Sequence, residues 1–261
     1  RVLQRVRKLA PDADADAVEE LLRGKKMSSR DYGAVLKELR LQGKWAATLR
    51  VGEWLAAEPG ALPNAMHYLT MLHACATASQ PAHALDLLER IGERHDLALS
   101  PPLRAQALSH AIIAHQRGGE LGPLVPLLDQ LDGLLLDGAA PANLTFGYAA
   151  AIRAFDLDGK WSVALQVYER ARATGVPLDA HGYAAVLGAC RSGKQPEVAL
   201  QVMREVSEPA SAVAPNSMLY NLAMGACVRG GEWEAALRLF EERRALSHTA
   251  TGGEAAGGEA A

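Results

Sequence analysis

Small polar and cationic side chains stand at repeated positions along this 261-residue chain. Amide, hydroxyl and carboxylate groups can form hydrogen bonds with the edge of a planar ligand, and a guanidinium can hold a phosphate oxygen. The residues concerned are Asn64, Ser109, Asp179, Asn216 and Asn221, together with Arg117, Arg191 and Arg229. Each group also has a purely structural interpretation, because Asn and Asp are common N-caps and cations are favoured near helix C-termini. The sequence leaves both interpretations open.

These residues belong to repeats of about 35 residues. The tripeptide Gly-Lys-Trp or Gly-Glu-Trp begins at Gly43, Gly159 and Gly231, each time eleven residues after a Tyr. The same spacing locates a turn in three further repeats. The six starting residues are Tyr32, Tyr68, Leu108, Tyr148, Tyr183 and Tyr220. A period of this length is the signature of a stacked helical array.

Each repeat has the hydrophobic pattern of two short amphipathic helices. In the repeat that starts at Tyr148, apolar residues at i, i+3, i+4 and i+7 form one stripe, and a second stripe begins at Trp161 after Gly159. Neither helix can bury its apolar face alone, so neighbouring repeats must cover it. The sequence therefore predicts an all-α fold, a right-handed α-solenoid of about six helix–turn–helix repeats.

The predicted domain organisation has three parts. Residues 1–28 are a partial N-terminal repeat or leader, and residues 29–246 are the six repeats. Residues 247–261 are rich in Gly, Ala and Glu and have little apolar content to bury, so we expect a disordered tail.

The cysteines and histidines do not have the spacing of a catalytic or metal site. Cys75, Cys190 and Cys227 each lie seven residues after the start of a repeat, a position that Leu39 and Phe155 occupy elsewhere. A position that accepts Leu, Phe and Cys is a core position. The histidines lack zinc-ligand spacing, and no Gly-rich phosphate loop is present in the sequence. We therefore expect no cofactor, no bound metal and no enzymatic activity.

The composition restricts the remaining function classes. A net charge of −3 argues against nucleic-acid binding through an overall positive charge, so any such site must be a local patch. Three cysteines in a chain of this size indicate a reducing compartment rather than a disulfide scaffold. No apolar run approaches the roughly 20 residues of a membrane span, and no membrane insertion is expected.

The last three repeats resemble pentatricopeptide repeats. Tyr220 and Asn221 begin a helix as the first helices of that family do, and the segment from Gly231 to Phe240 carries the Ala-Leu core of the family's second helix. The Ala- and Gly-rich form with Gly-Lys-Trp turns is similar to degenerate repeats of algal members. Members of the family are mostly imported into mitochondria or chloroplasts and bind single-stranded RNA. The resemblance therefore implies RNA as a partner and one of these organelles as the location.

The resemblance also implies which residues contact RNA. In the family, bases are read by the residue after the first-helix Tyr together with the last residue of the repeat. Here Ser109 and Asn221 are the polar residues at the first position, and Asn64, Asp179 and Asn216 stand at the second. The other first positions hold Gly33, Leu69, Ala149 and Ala184. Readout of a six-base sequence is therefore not expected.

The arginines near the ends of the first helices, Arg117, Arg191 and Arg229, would hold phosphates. Because Arg191, Arg229, Asn216 and Asn221 lie in the most family-like repeats, the C-terminal half is where RNA contact is expected.

Two functions remain. The first is binding of single-stranded or structured RNA in organelle gene expression, that is, in RNA processing, stability or translation. The alternative is a non-catalytic scaffold subunit of an organellar ribosome or other large complex, which binds mainly protein subunits. The loss of base-reading pairs and the mild negative charge favour weak or shape-based RNA contact. The sequence therefore supports the two functions almost equally.

Overall fold

The computed structural model describes residues 2–8, 15–25, 27–57, 62–94, 96–97, 99–208, 211 and 213–252. Within these residues there are fourteen α-helices, one 3₁₀ turn at Pro141–Leu144 and no β-strand. The all-α prediction is confirmed. No helix among the described residues has the length and hydrophobicity needed to cross a membrane.

The chain divides into two compact units, an N-terminal unit Arg1–Gly147 and a C-terminal unit Tyr148–Ala261. In chain order the helices are α1 (Val2–Arg7), α2 (Ala15–Leu22), α3 (Ser29–Leu41), α4 (Trp45–Ala57), α5 (Ala65–Thr77), α6 (Pro81–Glu93), α7 (Pro101–Gly118), α8 (Leu124–Leu136), α9 (Thr145–Leu157), α10 (Trp161–Ala173), α11 (Ala180–Gly193), α12 (Pro196–Ser207), α13 (Ser217–Gly230) and α14 (Trp233–Gly252). Odd-numbered helices from α3 to α13 are the first helices of six pairs, and even-numbered helices from α4 to α14 are the second helices.

Local sequence signals set the helix ends. Ser28 caps α3 in a capping box, in which its hydroxyl accepts from the Asp31 N–H at 3.2 Å and the Asp31 carboxylate accepts from the Ser28 N–H at 3.0 Å. Pro196 begins α12, a position where the missing N–H is not needed. Gly231 ends α13 with a φ of 91°, a left-handed conformation that favours glycine.

In the N-terminal unit, each first helix packs against its own second helix and against the next first helix. Thus α3 contacts α4 and α5, and α5 contacts α6 and α7. The leader follows the same arrangement, because α1 packs on α3 and α2 packs on α4. Val6, Val18 and Leu22 are fully buried in one core with Tyr32 and Leu36. Helices α1 and α2 thus contribute to the hydrophobic core of this unit.

In the C-terminal unit, α11 contacts α10, α12 and α13, and α13 contacts α14. Helix α14 continues to Gly252, so residues 247–252, which were predicted to be disordered, are helical. The reason is that neither Pro nor Gly occurs between Trp233 and Thr251, so no residue stops the helix earlier. The rest of the predicted tail, 253–261, lies outside the described residues.

Candidate nucleic-acid interface

The three residues that were expected at the end of a repeat are N-caps of first helices. Each accepts a backbone hydrogen bond from the first turn of the following helix: Asn64 from His67 at 3.1 Å, Asp179 from Gly182 at 2.8 Å and Asn216 from Leu219 at 3.0 Å. These bonds satisfy N–H groups that have no partner within the helix. Capping therefore engages the Oδ1 atom of all three side chains.

The position after the first-helix Tyr is packed against the next first helix. A Cβ atom at Gly182 would lie only 3.3 Å from the Ala149 Cβ, and one at Gly147 would lie 3.1 Å from the Ser109 hydroxyl oxygen. Ser109 is 4% exposed, and its hydroxyl has no hydrogen-bond partner among the described residues. The expected contact between Ser109 and a base is therefore not available in this structure, because the backbone at Gly147 covers the hydroxyl.

Asn221 is the exposed member of this series, since no further first helix follows α13 among the described residues. Its Oδ1 atom accepts a hydrogen bond from the Arg243 guanidinium at 2.7 Å. The same guanidinium lies 5.5 Å from the centre of the Phe240 ring. Base recognition by Asn221 thus requires Arg243 to move or to share the oxygen.

A basic groove lies between α3 and α5 in the N-terminal unit, with a volume of about 670 Å³. Three of its residues, Arg30, Lys37 and Arg40, are cationic, and no carboxylate is among the lining residues. Asn64 and Met66 line it from the side of α5. A groove with three cations and no carboxylate can hold a chain of phosphates.

His67 holds the two first helices of the basic groove together. Its Nδ1 atom accepts from the Asn64 N–H at 3.2 Å, so Nε2 carries the proton and donates to the Ser29 carbonyl at 3.0 Å. Burial lowers the pKa of the His67 imidazole. The ring is therefore a neutral part of the scaffold. Its place three residues after an N-cap was the one signal for this role in the sequence.

A second groove of the N-terminal unit lies between α7 and the start of α9, with a volume of about 480 Å³. It is mainly apolar, and Ile113 and Phe146 contribute to its walls. His73 and His110 also line it, with ring centres 4.9 Å apart in an edge-to-face arrangement. Burial lowers the pKa of His110 to about 4, helped by the charge of Arg40. The His110 imidazole is therefore neutral at physiological pH.

Large apolar side chains project into solvent two residues before the first-helix Tyr. Met66 is 60% exposed in the basic groove, and Phe146 is 64% exposed in the second groove. Met218 occupies the equivalent position of α13 and is also exposed. Exposed apolar and aromatic side chains can stack against nucleobases. Sequence reasoning missed these residues, although their fixed distance from the Tyr was a usable signal.

The expected phosphate-binding arginines differ in their surroundings. Arg117 lies 3.5 and 3.4 Å from the carbonyl oxygens of Ala76 and Thr77, at the C-terminal end of α5. These contacts satisfy helix carbonyls and fix the guanidinium on the first-helix side of the N-terminal unit. Arg229 is exposed near the end of α13.

In the C-terminal unit, an acidic residue accompanies Arg191. Asp156 stands eight residues after Tyr148, the position that Arg40 has after Tyr32. Its carboxylate accepts a hydrogen bond from the Ser192 hydroxyl at 3.0 Å. Burial raises the pKa of Asp156, while the bond from Ser192 and the charge of Arg191 oppose that rise. An acidic side chain beside Arg191 reduces the attraction of this arginine for a phosphate. Phosphate binding is therefore favoured in the basic groove of the N-terminal unit.

The prediction that the three cysteines are buried is confirmed. Cys75, Cys190 and Cys227 are free thiols without solvent exposure, and Leu39 and Phe155 are buried at the same position of other repeats. Burial raises the pKa of the Cys75 and Cys190 thiols to about 12. Within the described part of the chain, no group of three or more His, Cys, Asp or Glu side chains could hold a metal ion.

Comparison with known proteins gives a local sequence match and a fold. Residues 166–230 match the sequence model of the pentatricopeptide repeat domain. Over 93% of its length the chain is similar to the pentatricopeptide repeat protein PPR10 in complex with an 18-nt psaJ RNA element, with a TM-score of 0.56 and 22% identity. A PPR10 variant with cysteines replaced by serine, in complex with the same RNA element, matches equally well. A structure of PPR10 from maize matches with a TM-score of 0.45 and 14% identity.

The chain spans 35% of the length of the PPR10 chain in the first two of these structures. At 22% identity, this likeness shows the α-solenoid fold. No curated protein matches the chain in sequence. The match at residues 166–230 covers all of α11, α12 and α13 and most of α10, the helices in which the repeat pattern is clearest. The chain is therefore similar to the pentatricopeptide repeat family in sequence over residues 166–230, and it shares the α-solenoid fold of the solved structures.

Proposed function

We propose that this chain binds single-stranded RNA along the first helices of its N-terminal unit. The observation that carries the proposal is the basic groove between α3 and α5, where Arg30, Lys37 and Arg40 are not offset by any lining carboxylate. A chain with a net charge of −3 has little general attraction for RNA, so a local concentration of cations decides where the backbone binds.

In this proposal, the phosphates and the bases of the RNA contact different side chains. The three cations hold phosphate oxygens, and the exposed side chains of Met66 and Phe146 offer surfaces on which bases stack. Sequence discrimination is weak, because Gly33 offers no side-chain group and Ser109 is covered. The protein therefore recognises a flexible single strand more than a defined sequence.

The biological setting is part of the same proposal. PPR10, which shares the fold, is described in complex with an 18-nt RNA element. By family resemblance, we place this chain in the mitochondrion or chloroplast, where it takes part in RNA processing, stability or translation.

A binding titration tests the proposal. Short labelled single-stranded RNA is titrated with the full chain and with the variant Arg30→Glu/Lys37→Glu, in which both changed residues are exposed. The control is Arg50→Glu/Arg90→Glu, which makes the same change of charge at exposed positions of α4 and α6. We expect the groove variant to lose binding and the control to retain most of it. Equal loss in both variants, or no binding by the unchanged chain, contradicts the proposal.

A further inference from the structure

A third groove of the N-terminal unit, the α6–α8 groove, lies between two second helices and has a volume of about 300 Å³. Helices α6 and α8 both pack on α7, which also contributes to the lining. Most of the lining is apolar and consists of Leu88, Ile91, Leu99, Ala107, Leu108 and Leu134. Among the described residues, none that lines this groove also lines the basic groove or the second groove. The α6–α8 groove is therefore a surface separate from the proposed RNA site.

An extra helical turn distinguishes this place in the array from the other repeats. Helix α7 begins at Pro101, seven residues before Leu108, whereas every other first helix begins three residues before the starting residue of its repeat. The extra turn carries Arg104 to the groove, where its guanidinium forms an ion pair with Asp137 at 3.7 Å. The α6–α8 groove thus includes a feature that the common repeat pattern does not supply.

Each wall of the α6–α8 groove carries a glycine. Gly92 of α6 and Gly133 of α8 both line it, and a Cβ atom added at either position would have nothing within 4 Å. By contrast, a Cβ atom at Gly52 of α4 would meet the Met71 sulfur at 2.0 Å. Glycine weakens a helix relative to alanine, and no contact among the described residues requires it at these two positions. A partner's backbone can approach both walls closely there.

The outer edge of the α6–α8 groove is acidic. Glu89 lies on α6 three residues before its glycine, and Asp129 lies on α8 four residues before its own, so both exposed carboxylates flank the groove. Helix α8 contains no Lys or Arg. The one arginine of α6, Arg90, forms an ion pair with Asp86 at 3.0 Å. This edge repels phosphates and attracts cationic side chains.

An exposed leucine extends the apolar surface beyond the groove. Leu136 is 93% exposed and lies three residues after Gly133, on the same side of α8. A single exposed leucine is ordinary, but one that adjoins an apolar groove enlarges a continuous apolar patch. Apolar patches with a charged rim are typical of protein contacts.

We propose that the α6–α8 groove binds an amphipathic helix of a partner protein whose polar face is basic. The apolar face of that helix lies between the two glycine-containing walls, in the manner of helix-in-groove recognition. Its Lys or Arg side chains meet Glu89 and Asp129, and this charge complementarity selects a basic protein segment over RNA. The proposal goes beyond RNA binding, because it concerns the second helices of the unit.

Three designed peptides test the chemistry of the occupant. The probe is a labelled amphipathic peptide of Leu and Lys with leucines at i, i+3, i+4 and i+7, and its fluorescence anisotropy is followed as the full chain is added. One reference peptide has Glu in place of every Lys, and the other has Gln in place of every Leu. We expect saturable binding of the Leu/Lys peptide that is about tenfold or more tighter than binding of either reference. Equal binding of a reference peptide overturns the proposal.

Filling the groove tests the location. In Gly133→Trp, the new side chain starts in open space and occupies the groove, so we expect the Leu/Lys peptide to bind about tenfold or more weakly. The matched control is Gly122→Trp, because Gly122 also has open space around it and does not line the groove. Circular dichroism melts verify that both variants are folded. Unchanged binding by Gly133→Trp, or an equal loss in the control, contradicts the location.

Reversing the charge of the rim is an independent test. Glu89→Lys/Asp129→Lys should weaken binding of the Leu/Lys peptide about tenfold or more and should strengthen binding of the Leu/Glu peptide. The control, Glu20→Lys/Glu53→Lys, makes the same change of charge at exposed positions of α2 and α4. Equal losses in the two variants would show that only the total charge of the protein matters, and the proposal would fail.

Two further measurements identify other occupants. RNA titrations and sedimentation should be the same for the unmodified chain and for Gly133→Trp. Loss of RNA binding in Gly133→Trp would place RNA in the α6–α8 groove and refute a protein partner. Self-association that Gly133→Trp abolishes would identify a second copy as the occupant and refute a foreign helix. Failure of the RNA proposal and failure of this one are therefore separate results.

Discussion

Neutralising the basic groove should change the salt dependence of RNA binding by a defined amount. The variant replaces Arg30, Lys37 and Arg40 by Gln, which removes all three cations that line the groove. For single strands, the logarithm of the binding constant falls with the logarithm of salt concentration by about 0.7 per neutralised phosphate. Because each cation can meet one phosphate, we expect the slope to become less steep by about 2.

The assay is fluorescence anisotropy of a labelled single-stranded RNA, titrated at several salt concentrations with each protein. The control replaces Arg23, Arg50 and Arg90 by Gln, three exposed arginines that do not line the groove. Circular dichroism melts verify that both variants keep their stability. A groove variant with the slope of the unchanged chain would refute the assignment of phosphates to this groove, and an equal change in both variants would show that only total charge matters.

Three further perturbations test the packing and the site. Phe146→Ala should weaken RNA binding by about 1–3 kcal/mol through lost stacking. Leu136→Ala, at a 93% exposed position outside the basic groove and the second groove, should leave binding unchanged, and equal effects of the two changes would exclude stacking on Phe146. Trp161→Ala should lower the free energy of unfolding, measured by urea denaturation, by about 2 kcal/mol, because the indole covers Gly193. Trp233→Ala, at an exposed position, should lower it by less than about 0.5 kcal/mol, and a larger loss for Trp233→Ala than for Trp161→Ala would contradict the packing. Because burial raises the pKa of the Cys190 thiol to about 12, the folded state keeps its proton where the unfolded chain loses it, and stability should decline as pH rises from the ordinary thiol pKa towards 12. Melts at neutral and alkaline pH should show a smaller decline for Cys190→Ala, and an identical decline would disprove the linkage.

The capping residues show how one side chain can support two interpretations of a sequence. Asn64, Asp179 and Asn216 were candidates for base contact and for capping, and the structure shows the capping bonds directly. Sequence position cannot separate the two, because the residue before a first helix is both its N-cap and the last residue of the preceding repeat. Contact of these side chains with RNA stays a prediction.

The sequence by itself determined the helices, their pairing and the shared core position. Repeated Tyr, Gly-x-Trp and Ala-Leu signals arise from contacts that each repeat makes with itself and its neighbours, so they recur wherever the contact recurs. That is why the burial of Cys75, Cys190 and Cys227 followed from Leu39 and Phe155 at the same position.

Only the tertiary structure decided which candidate residues are accessible and where the charges lie. Ser109 is polar in the sequence but covered by Gly147, and Arg191 has Asp156 of the preceding first helix nearby. Both effects come from residues more than thirty positions away in the chain. The repeat period predicts which backbone positions lie close together, but it does not predict which side chain stands at each of them. Exposure and electrostatic potential depend on the identity of that side chain. The basic groove of Arg30 and Lys37 could therefore be identified only from the positions of α3 and α5 side by side.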